Sequence, residues 1–228
     1  MFPLKEDFDA TSLDSLEPVF NELLSRDLKS VGDLEAFFSD ISDMAEHISE
    51  AGARLYIGMT CDTENELKQT NFLNFVENIR PRMSEVSNKL DLKILNLDFL
   101  DRLSDRYTLI LRSMRNSIEI FREENIPLSV ECTKLSTEYQ KIIGAMTVNF
   151  EGMEYTLPQM RRFLESNDRG TRRLAWASVR ERRMKDSSRI SEILDELIDK
   201  RNKIAQNAGF NNYVEYAFRS MELSLIHI

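Results

Sequence analysis

Apolar residues recur every three or four positions along most of this 228-residue chain, and the clearest run lies at residues 190–218. Such spacing places the apolar side chains on one stripe of a helix, which must be buried against other elements. Gly209 follows the last periodic position, where glycine favours a helix end, and Asn211 or Asn212 is suited to cap a second, aromatic helix. The run therefore predicts a helix, a tight turn and another helix. Its positions are Ile190, Ile193, Leu194, Leu197, Ile198, Ile204, Ala205 and Ala208, followed by Tyr213, Tyr216 and Phe218.

The N-terminal part of the chain repeats this period in three stretches. Residues 11–14 form a helix-entry signal, and we expect Pro18 in the first turn, where its missing amide costs nothing. Ser30 or Gly32-Asp33 opens a second helix, and a third follows residues 62–63. Pro81 lies inside the third pattern and is expected to kink or divide that helix. The apolar faces comprise Leu16, Val19, Phe20, Leu23 and Leu24; then Leu34, Phe37, Phe38, Ile41, Met44, Ala45, Ile48, Ala51, Leu55 and Tyr56; then Leu67, Phe72, Phe75, Val76, Ile79, Met83, Val86 and Leu90.

The middle of the chain gives weaker helical signals. Residues 91–100 are apolar without a period, which predicts a packed connector. A helix is expected from about residue 98 to residue 124. Residues 125–127 contain Pro127 and are expected to end it. A shorter helix is expected at residues 128–143.

An alternating pattern then replaces the helical one, and it predicts a small β-hairpin. Glu151-Gly152 supplies turn chemistry between the two alternating segments. Residues 156–158 are expected to cap a helix through Leu164, residues 167–170 to break the chain, and Thr171 to open the helix that carries Trp176. The alternating positions are Met146, Val148 and Phe150, then Met153 and Tyr155.

Taken together, these elements predict a mainly α fold: a multi-helix antiparallel array with one small β-hairpin. We divide it into an N-terminal helical region at residues 1–144 and a region of hairpin and helices at residues 145–222. Seven glycines and five prolines agree with long helices and short connections.

Composition limits the partners and the cellular compartment that we expect for the protein. The formal net charge of −9 opposes nucleic acid or an anionic membrane as a general partner. Cys61 and Cys132 form no CxxC pair, and we expect buried or partly buried free thiols in a reducing compartment. The start MFPLKEDFDA has no signal-peptide pattern, and no apolar run reaches the roughly 20 residues of a membrane helix. We therefore expect a soluble, cytoplasmic protein.

Charge is distributed unevenly along the chain. Residues 1–60 hold 13 acidic and 4 basic residues, whereas residues 161–189 hold 10 basic and 4 acidic ones. Arginines on helices beside Trp176 are compatible with a nucleic-acid surface. The alternative is that these arginines pair with the acidic N-terminal helices or stay solvated, as charge runs on helices usually do.

The segment from Leu197 to Tyr216, LIDKRNKIAQNAGFNNYVEY, resembles the region upstream of the active site in the oligoendopeptidase F family. The likeness extends more weakly back to about Leu16. That family contains zinc metallopeptidases related to thimet oligopeptidase, in which a mostly helical shell encloses a deep channel and only short, extended peptides reach the metal. The resemblance implies that this chain is the N-terminal part of such a peptidase and shapes the channel wall, with zinc bound elsewhere in the whole protein. It is carried by Leu197, Arg201, Ile204-Ala205, Gly209-Phe210, Asn212-Tyr213 and Tyr216.

Candidate catalytic chemistry is missing from the sequence. The zinc motif His-Glu-x-x-His needs two histidines one helical turn apart, but the only histidines are His47 and His227. Asp43, His47 and Glu50 share a helix face. One interpretation of this face is a cation site, and the alternative is an ordinary solvated polar face. No GxSxG, Walker or dinucleotide motif is present, and Glu123-Glu124 has the pattern of a surface. We therefore assign no catalytic, cofactor-binding or metal residues and expect this chain alone to be inactive and to expose apolar surface.

The last six residues, 223–228, resemble a translated sequencing-adapter tail, so we expect no biological role for His227. The alternative is a natural apolar extension packed on the last helix. Two further interpretations stay open: a complete, non-enzymatic helical interaction module, and a regulatory homologue that has lost catalysis. A complete module would bury its helix stripes, whereas a partial structure would leave the 190–218 region partly uncovered.

Overall fold

The computed structural model describes residues 8–223, and most of them are helical. Predictions for the segment before residue 8 and for residues 224–228, including His227, lie outside the described residues. In chain order the elements are α1 (Leu13–Ser25), α2 (Val31–Thr60), α3 (Glu66–Asn74), a π-helical turn (Phe75–Ile79), α4 (Arg80–Leu95), two 3₁₀ turns (Leu100–Arg102 and Asp105–Tyr107), α5 (Thr108–Ile120), α6 (Asn125–Gly144), β1 (Thr147–Phe150), β2 (Met153–Thr156), α7 (Arg161–Leu164), α8 (Arg169–Lys185), α9 (Ser187–Asn207) and α10 (Tyr213–Ser220).

The largest core joins the N-terminal helices. Side chains from α1, α2, α4 and α5 form one buried cluster, whose fully buried members include Leu16, Phe20, Phe37, Met44 and Val86. The apolar stripes predicted from the sequence supply these residues, so the predicted amphipathic helices are confirmed. None of the helices between residues 8 and 223 combines the length and the apolar run that crossing a bilayer requires.

The end of α1 is closed by a side chain from α4. Lys93 donates from Nζ to the backbone carbonyls of Leu23 and Leu24, each at 3.0 Å, and to that of Arg26. These carbonyls lie at a helix C-terminus and have no partner within the helix, so the ammonium satisfies them and complements the helix dipole. Arg26 in turn pairs with Asp40 of α2. One junction therefore connects α1, α2 and α4.

Two prolines lie in positions that differ from the predictions. α1 begins at Leu13, so Pro18 lies inside the helix rather than in its first turn. Because Pro18 has no amide hydrogen, the Asp14 carbonyl lacks its helical partner. Both residues are exposed, so water can hydrate that carbonyl. Pro127 does not end a helix as predicted; it lies in the first turn of α6, where no intrahelical amide is needed.

The irregularity predicted at Pro81 is confirmed, and its form is the π-helical turn at Phe75–Ile79 immediately before it. Proline lacks the amide that would bond four residues back and its ring crowds the preceding turn, which favours a widened turn. The turn directs Phe75 against α2. A Cβ atom on Gly52 would lie 2.8 Å from the Phe75 ring, so glycine is what permits this close approach.

The boundaries of α5 differ from the prediction. Residues 91–95 belong to α4 rather than to a connector, and the helix expected from residue 98 begins only at Thr108 and ends at Ile120. The extended backbone of Leu103 and Ser104 separates two 3₁₀ turns and stops an earlier start. Apolar residues such as Phe99 are buried in this irregular segment, so burial and helical periodicity do not coincide here.

The predicted β-hairpin is confirmed. β1 and β2 pair antiparallel, with Val148 opposite Tyr155 and Phe150 opposite Met153. Glu151 and Gly152 both have positive φ, 51° and 81°, as a two-residue hairpin turn of the right twist requires. The inner face packs on α7 and α8 through Val148, Phe150, Tyr155, Met160 and Ala175.

The predicted helix–turn–helix at residues 190–218 is confirmed as α9 and α10. Gly209, with φ of 87°, ends the first helix, and Asn212 caps the second by accepting from the Glu215 amide. The stripe is only partly buried: Ile193 and Leu197 pack on α6, but Leu194 and Ile198 are 54% and 46% exposed. The stripe is therefore not buried at these two positions, which face away from α6, and this partial exposure is what the sequence predicts for a partial structure.

The arginine-rich stretch uses local partners. Arg161 pairs with Glu165, Arg182 with Asp186, and Arg189 forms a two-pronged bond to Glu138 of α6 at 2.7 and 2.8 Å. Among the described residues, none of these arginines pairs with an acid of residues 8–60, so of the two expected outcomes only solvation remains for the arginines without a local partner. Arg169, Arg173 and Arg183 are exposed.

The two cysteines are free, but Cys61 is exposed and only Cys132 is half-buried. The expectation of partial burial is therefore wrong for Cys61. It caps the C-terminus of α2, where the chain turns outward.

The division of the chain at residue 144, between the N-terminal helical region and the region of hairpin and helices, remains a prediction.

Two glycines inside α2 should respond to the same substitution with opposite signs. Gly52→Ala should lower the free energy of unfolding by about 1–3 kcal/mol, because its Cβ meets the buried Phe75 ring. Gly58→Ala should raise it by about 0.5–1 kcal/mol, because a Cβ there meets nothing within 4 Å and alanine favours helix. Urea unfolding measures both. Equal changes in the two variants would show that α2 does not approach Phe75.

Burial raises the pKa of Asp91 to about 6, above the value of about 4 expected in the unfolded chain. Protonation is therefore favoured in the folded state, and the fold loses stability as pH rises through 4 to 6. Asp91→Asn should raise the Tm by about 2–4 °C at pH 7.5, allowing for solvent screening at this half-buried site. The gain should vanish near pH 4. Asp98→Asn, at an exposed position, is the control, and a gain from Asp91→Asn that is constant with pH would contradict the assignment.

Candidate ligand-binding groove

Two adjoining cavities form a groove along α4. The first, of about 420 Å³, lies between the π-helical turn, the start of α4, the end of α5, the start of α6 and α10. The second, of about 540 Å³, lies between α2 and α4. Arg80 and Ser84 line both cavities, so we treat them together as the α4 groove. The volume of each is within the range of small-molecule and peptide-side-chain clefts.

The buried Asn125 lines the first cavity and forms an amide pair with the half-buried Asn207. Asn125, at the start of α6, donates from Nδ2 to the Ile204 carbonyl at 3.0 Å. Its Oδ1 accepts from Asn207 Nδ2 at 2.8 Å. These bonds satisfy a buried polar side chain and fix the end of α9 against the start of α6.

Arg122 closes the turn between α5 and α6. Its Nε donates to the Asn207 carbonyl at 3.1 Å, and its Nη1 donates to the carbonyls of Glu119 and Phe121 at 3.0 and 2.6 Å. The carbonyl ends of α5 and α9 are negative helix termini, so a guanidinium between them is stabilising. These three acceptors are neutral carbonyls, so no carboxylate neutralises the Arg122 guanidinium through them.

Arg80 is held by aromatic rings rather than by a carboxylate. Its guanidinium carbon lies 5.7 Å from the centre of the Phe72 ring and 5.9 Å from that of Phe75. Both rings are buried, and cation–π contact orients the exposed guanidinium over them. The π-helical turn places Phe75 here, so the irregularity at Pro81 also positions Arg80.

Tyr216 contributes a phenol from α10. Its ring meets Phe210 edge-on with centroids 5.7 Å apart. Burial, and to a lesser degree Tyr213, raises the pKa of Tyr216, so the hydroxyl stays protonated and can donate at neutral pH.

The lining of the first cavity is rich in donors and holds no acid among the residues the structure describes. Ser129 and Thr133 donate to carbonyls of their own helix, and Asn116 donates to the Arg219 carbonyl. Four carboxylates on the surrounding elements pair with other bases: Glu77 with Lys134, Glu85 with Arg82, Glu119 with Arg219, and Glu131 with Lys200. The wall of the first cavity therefore carries two guanidinium groups and no carboxylate, whereas Glu123 and Glu124 beside it are exposed to solvent.

The candidate cation site on α2 is not assembled. His47 Nδ1 lies 2.8 Å from the Asp43 backbone carbonyl, and Glu50 accepts from Arg54. Within residues 8–223 no three His, Cys, Asp or Glu side chains are placed to hold a metal ion together. Glu123 and Glu124 are exposed, as predicted.

Sequence reasoning did not find the groove. Tyr216 was predicted only as part of an aromatic helix, and Asn125 only as part of a helix end. Arg80 stands directly before Pro81, and that proline was the one local signal near it.

The amide pair of Asn125 and Asn207 predicts a measurable stability effect. Asn125→Ala should lower the free energy of unfolding by about 1–2 kcal/mol, because it removes the side-chain bond to the Ile204 carbonyl, which keeps the Ala208 amide, and leaves the half-buried Asn207 side-chain amide without this acceptor. Asn71→Ala, at an exposed position of α3, is the matched control and should change it by less than about 0.5 kcal/mol. Chemical denaturation compares them. Equal stabilities of the two variants would rule out the buried network.

Comparison with known proteins identifies the family. Residues 5–121 match the model of the Peptidase M3 N-terminal domain. No curated protein matches the chain in sequence. The fold resembles a structure assigned as an oligoendopeptidase F (23% identity, TM-score 0.86, 94% of this chain and 38% of that one), PZ peptidase A with an inhibitor (22%, 0.88, 97% and 40%) and a second oligoendopeptidase F assignment, from Bacillus anthracis str. Ames (21%, 0.88, 97% and 41%).

At these identities the structures show the shared fold, and this chain spans about two fifths of their length. The mainly helical fold with its hairpin is confirmed, as is the resemblance noted from the sequence. Because the family model covers more than half of the 228 residues, the chain belongs to the Peptidase M3 family and contains its N-terminal domain.

Proposed function

We propose that this chain forms part of the channel wall of a zinc metalloendopeptidase that hydrolyses short peptides in the cytoplasm. The observation that carries the proposal is the family match over residues 5–121, supported by a fold shared with oligoendopeptidase structures over 94–97% of the chain. The role we assign is to admit and orient extended peptides.

The α4 groove supports a positioning role. Its hydroxyl, amide and guanidinium groups are donors suited to the carbonyl oxygens of an extended peptide, while the second cavity offers apolar contacts from Ile48, Phe75 and Met83. Holding a substrate in a fixed orientation lowers the entropy cost of reaction without any bond chemistry at the wall.

The donor set of the described residues does not fit zinc. His47 has one ring nitrogen engaged with a backbone carbonyl, and Cys61 and Cys132 lie on different helices. A hydrolytic site needs three protein ligands around one ion. We therefore propose that other residues of the whole protein hold the zinc ion. We also propose that residues 1–228 alone are inactive.

Exposed apolar residues on α8 and α9 support a larger assembly over a self-contained interaction module. Leu174, Trp176 and Met184 on α8 are 63%, 56% and 57% exposed, and Leu194 and Ile198 on α9 are also uncovered. We propose that the rest of the peptidase packs on this face, because apolar surface of this kind usually marks an interface. The local pairing of the arginines, together with the net charge of −9, opposes nucleic acid as the partner.

The test is to read the source gene past the codon for Glu222 and to express the whole reading frame beside residues 1–228. The longer protein should cleave an internally quenched nonapeptide, lose that activity to 1,10-phenanthroline and regain it with Zn²⁺. Residues 1–228 should show no hydrolysis above the buffer rate. A stably folded protein should resist cleavage by the longer protein, because it cannot enter the proposed channel.

Two results would contradict the proposal. If the natural frame ends at residue 228, the interaction module becomes the working hypothesis. If the frame continues without His-Glu-x-x-His, or if hydrolysis ignores the chelator, the protein is a non-catalytic homologue or a different peptidase.

A further inference from the structure

We infer that the α4 groove binds the carboxylate of a peptide, with Arg80 as its principal cationic contact and an apolar side chain of the same peptide in the adjoining second cavity. The identity of the ligand as a short peptide rests on the proposed function. The site itself rests on the charge and the shape of the groove.

The charge argument concerns two guanidinium groups that face the same 420 Å³ cavity. No carboxylate of the described residues forms a salt bridge with Arg80 or Arg122, and Glu77, Glu85, Glu119 and Glu131 on the surrounding elements are paired with other bases. The exposed Arg80 guanidinium is therefore available to an anion, and guanidinium groups bind carboxylates through charge-assisted bonds.

Neutral donors complete the site. The hydroxyls of Ser84, Ser117, Ser220 and Tyr216 line the cavity, and none of the hydrogen bonds described for residues 8–223 uses them. A carboxylate accepts up to about four hydrogen bonds, so these groups can satisfy the lone pairs that the guanidinium leaves. Tyr216 is half-buried, which makes its unpaired hydroxyl the more significant of the four.

The second cavity separates a peptide from a simple inorganic anion. It meets the first at Arg80 and Ser84 and is lined by Ile48, Tyr56 and Met83. A ligand that fills both therefore carries an apolar group next to its carboxylate. A C-terminal residue such as leucine has this chemistry, and so does an acidic side chain beside an apolar residue.

The cavity argues against a polyanion such as nucleic acid. Each cavity has the size of a small-ligand cleft, and the chain as a whole is acidic, which repels an extended phosphate backbone. Arg122 contributes charge but is also tied to three backbone carbonyls, so Arg80 is the position to test.

The experiment measures binding of three acetylated tetrapeptides to residues 1–228 by calorimetry at low salt. One ends in Leu with a free carboxylate, the second is its C-terminal amide, and the third is an amide with Glu beside Leu. The free acid should bind about tenfold more tightly than its amide, the size expected for one charge-assisted contact. Recovery of affinity by the third peptide would assign the carboxylate to a side chain, and no recovery would assign it to the C-terminus.

Variants identify the contact. Arg80→Gln should remove the difference between acid and amide, Arg80→Lys should keep most of it, and Arg173→Gln, at an exposed arginine of α8, should leave it unchanged. Circular dichroism verifies that each variant is folded. Equal binding of acid and amide to the wild type, no binding of either, or an undiminished difference in Arg80→Gln would overturn the inference.

The outcomes separate this inference from the proposed function. Two results together would uphold the site and reject the peptidase. Residues 1–228 would show carboxylate-dependent binding that Arg80→Gln abolishes, and the whole reading frame would show no zinc-dependent activity. An active zinc peptidase whose preference for acid over amide substrates is the same in Arg80→Gln would do the reverse.

Discussion

The carbonyl groups at the C-termini of buried helices must find partners, and this constraint connects the parts of the molecule. At one junction Lys93 of α4 donates hydrogen bonds to the carbonyls at the end of α1. At another, Arg122 donates to the Asn207 carbonyl at the end of α9, and Asn125 adds a second bond to the Ile204 carbonyl, which also accepts the Ala208 amide. In both cases a side chain from a distant segment satisfies the helix end, so each helix terminus also becomes a tertiary contact.

These contacts determine which polar groups remain for a ligand. Arg122 and Asn125 are engaged in the structure, whereas the contacts of Arg80 within residues 8–223 are with the faces of Phe72 and Phe75 and include no carboxylate. The π-helical turn before Pro81 creates that arrangement and brings Phe75 against Gly52 of α2. An irregularity in a helix, which lowers its regular hydrogen bonding, thus positions Arg80, one of the two arginines that line the first cavity.

Membership in the Peptidase M3 family and the geometry of the groove are compatible with complementary roles for the parts of the protein. The described residues supply donors, positive charge and apolar contacts, which we propose bind and orient a peptide. The partly uncovered stripe of α9 and the exposed face of α8 provide a surface against which the proposed remainder of the peptidase can pack. Binding and bond cleavage would then come from different segments of one chain.

The helical class, the hairpin at Glu151-Gly152 and the helix end at Gly209 could be predicted from the sequence alone, because periodicity, capping and turn chemistry act within a few residues. The family could be inferred only from the resemblance of residues 197–216. Only the tertiary structure decided the late start of α5, the place of Pro127 in α6 and the exposure of Leu194 and Ile198, since each depends on which neighbour packs there. The groove was beyond sequence reasoning for the same reason: its lining runs from Val76 to Ser220, and their proximity exists only once the helices have packed.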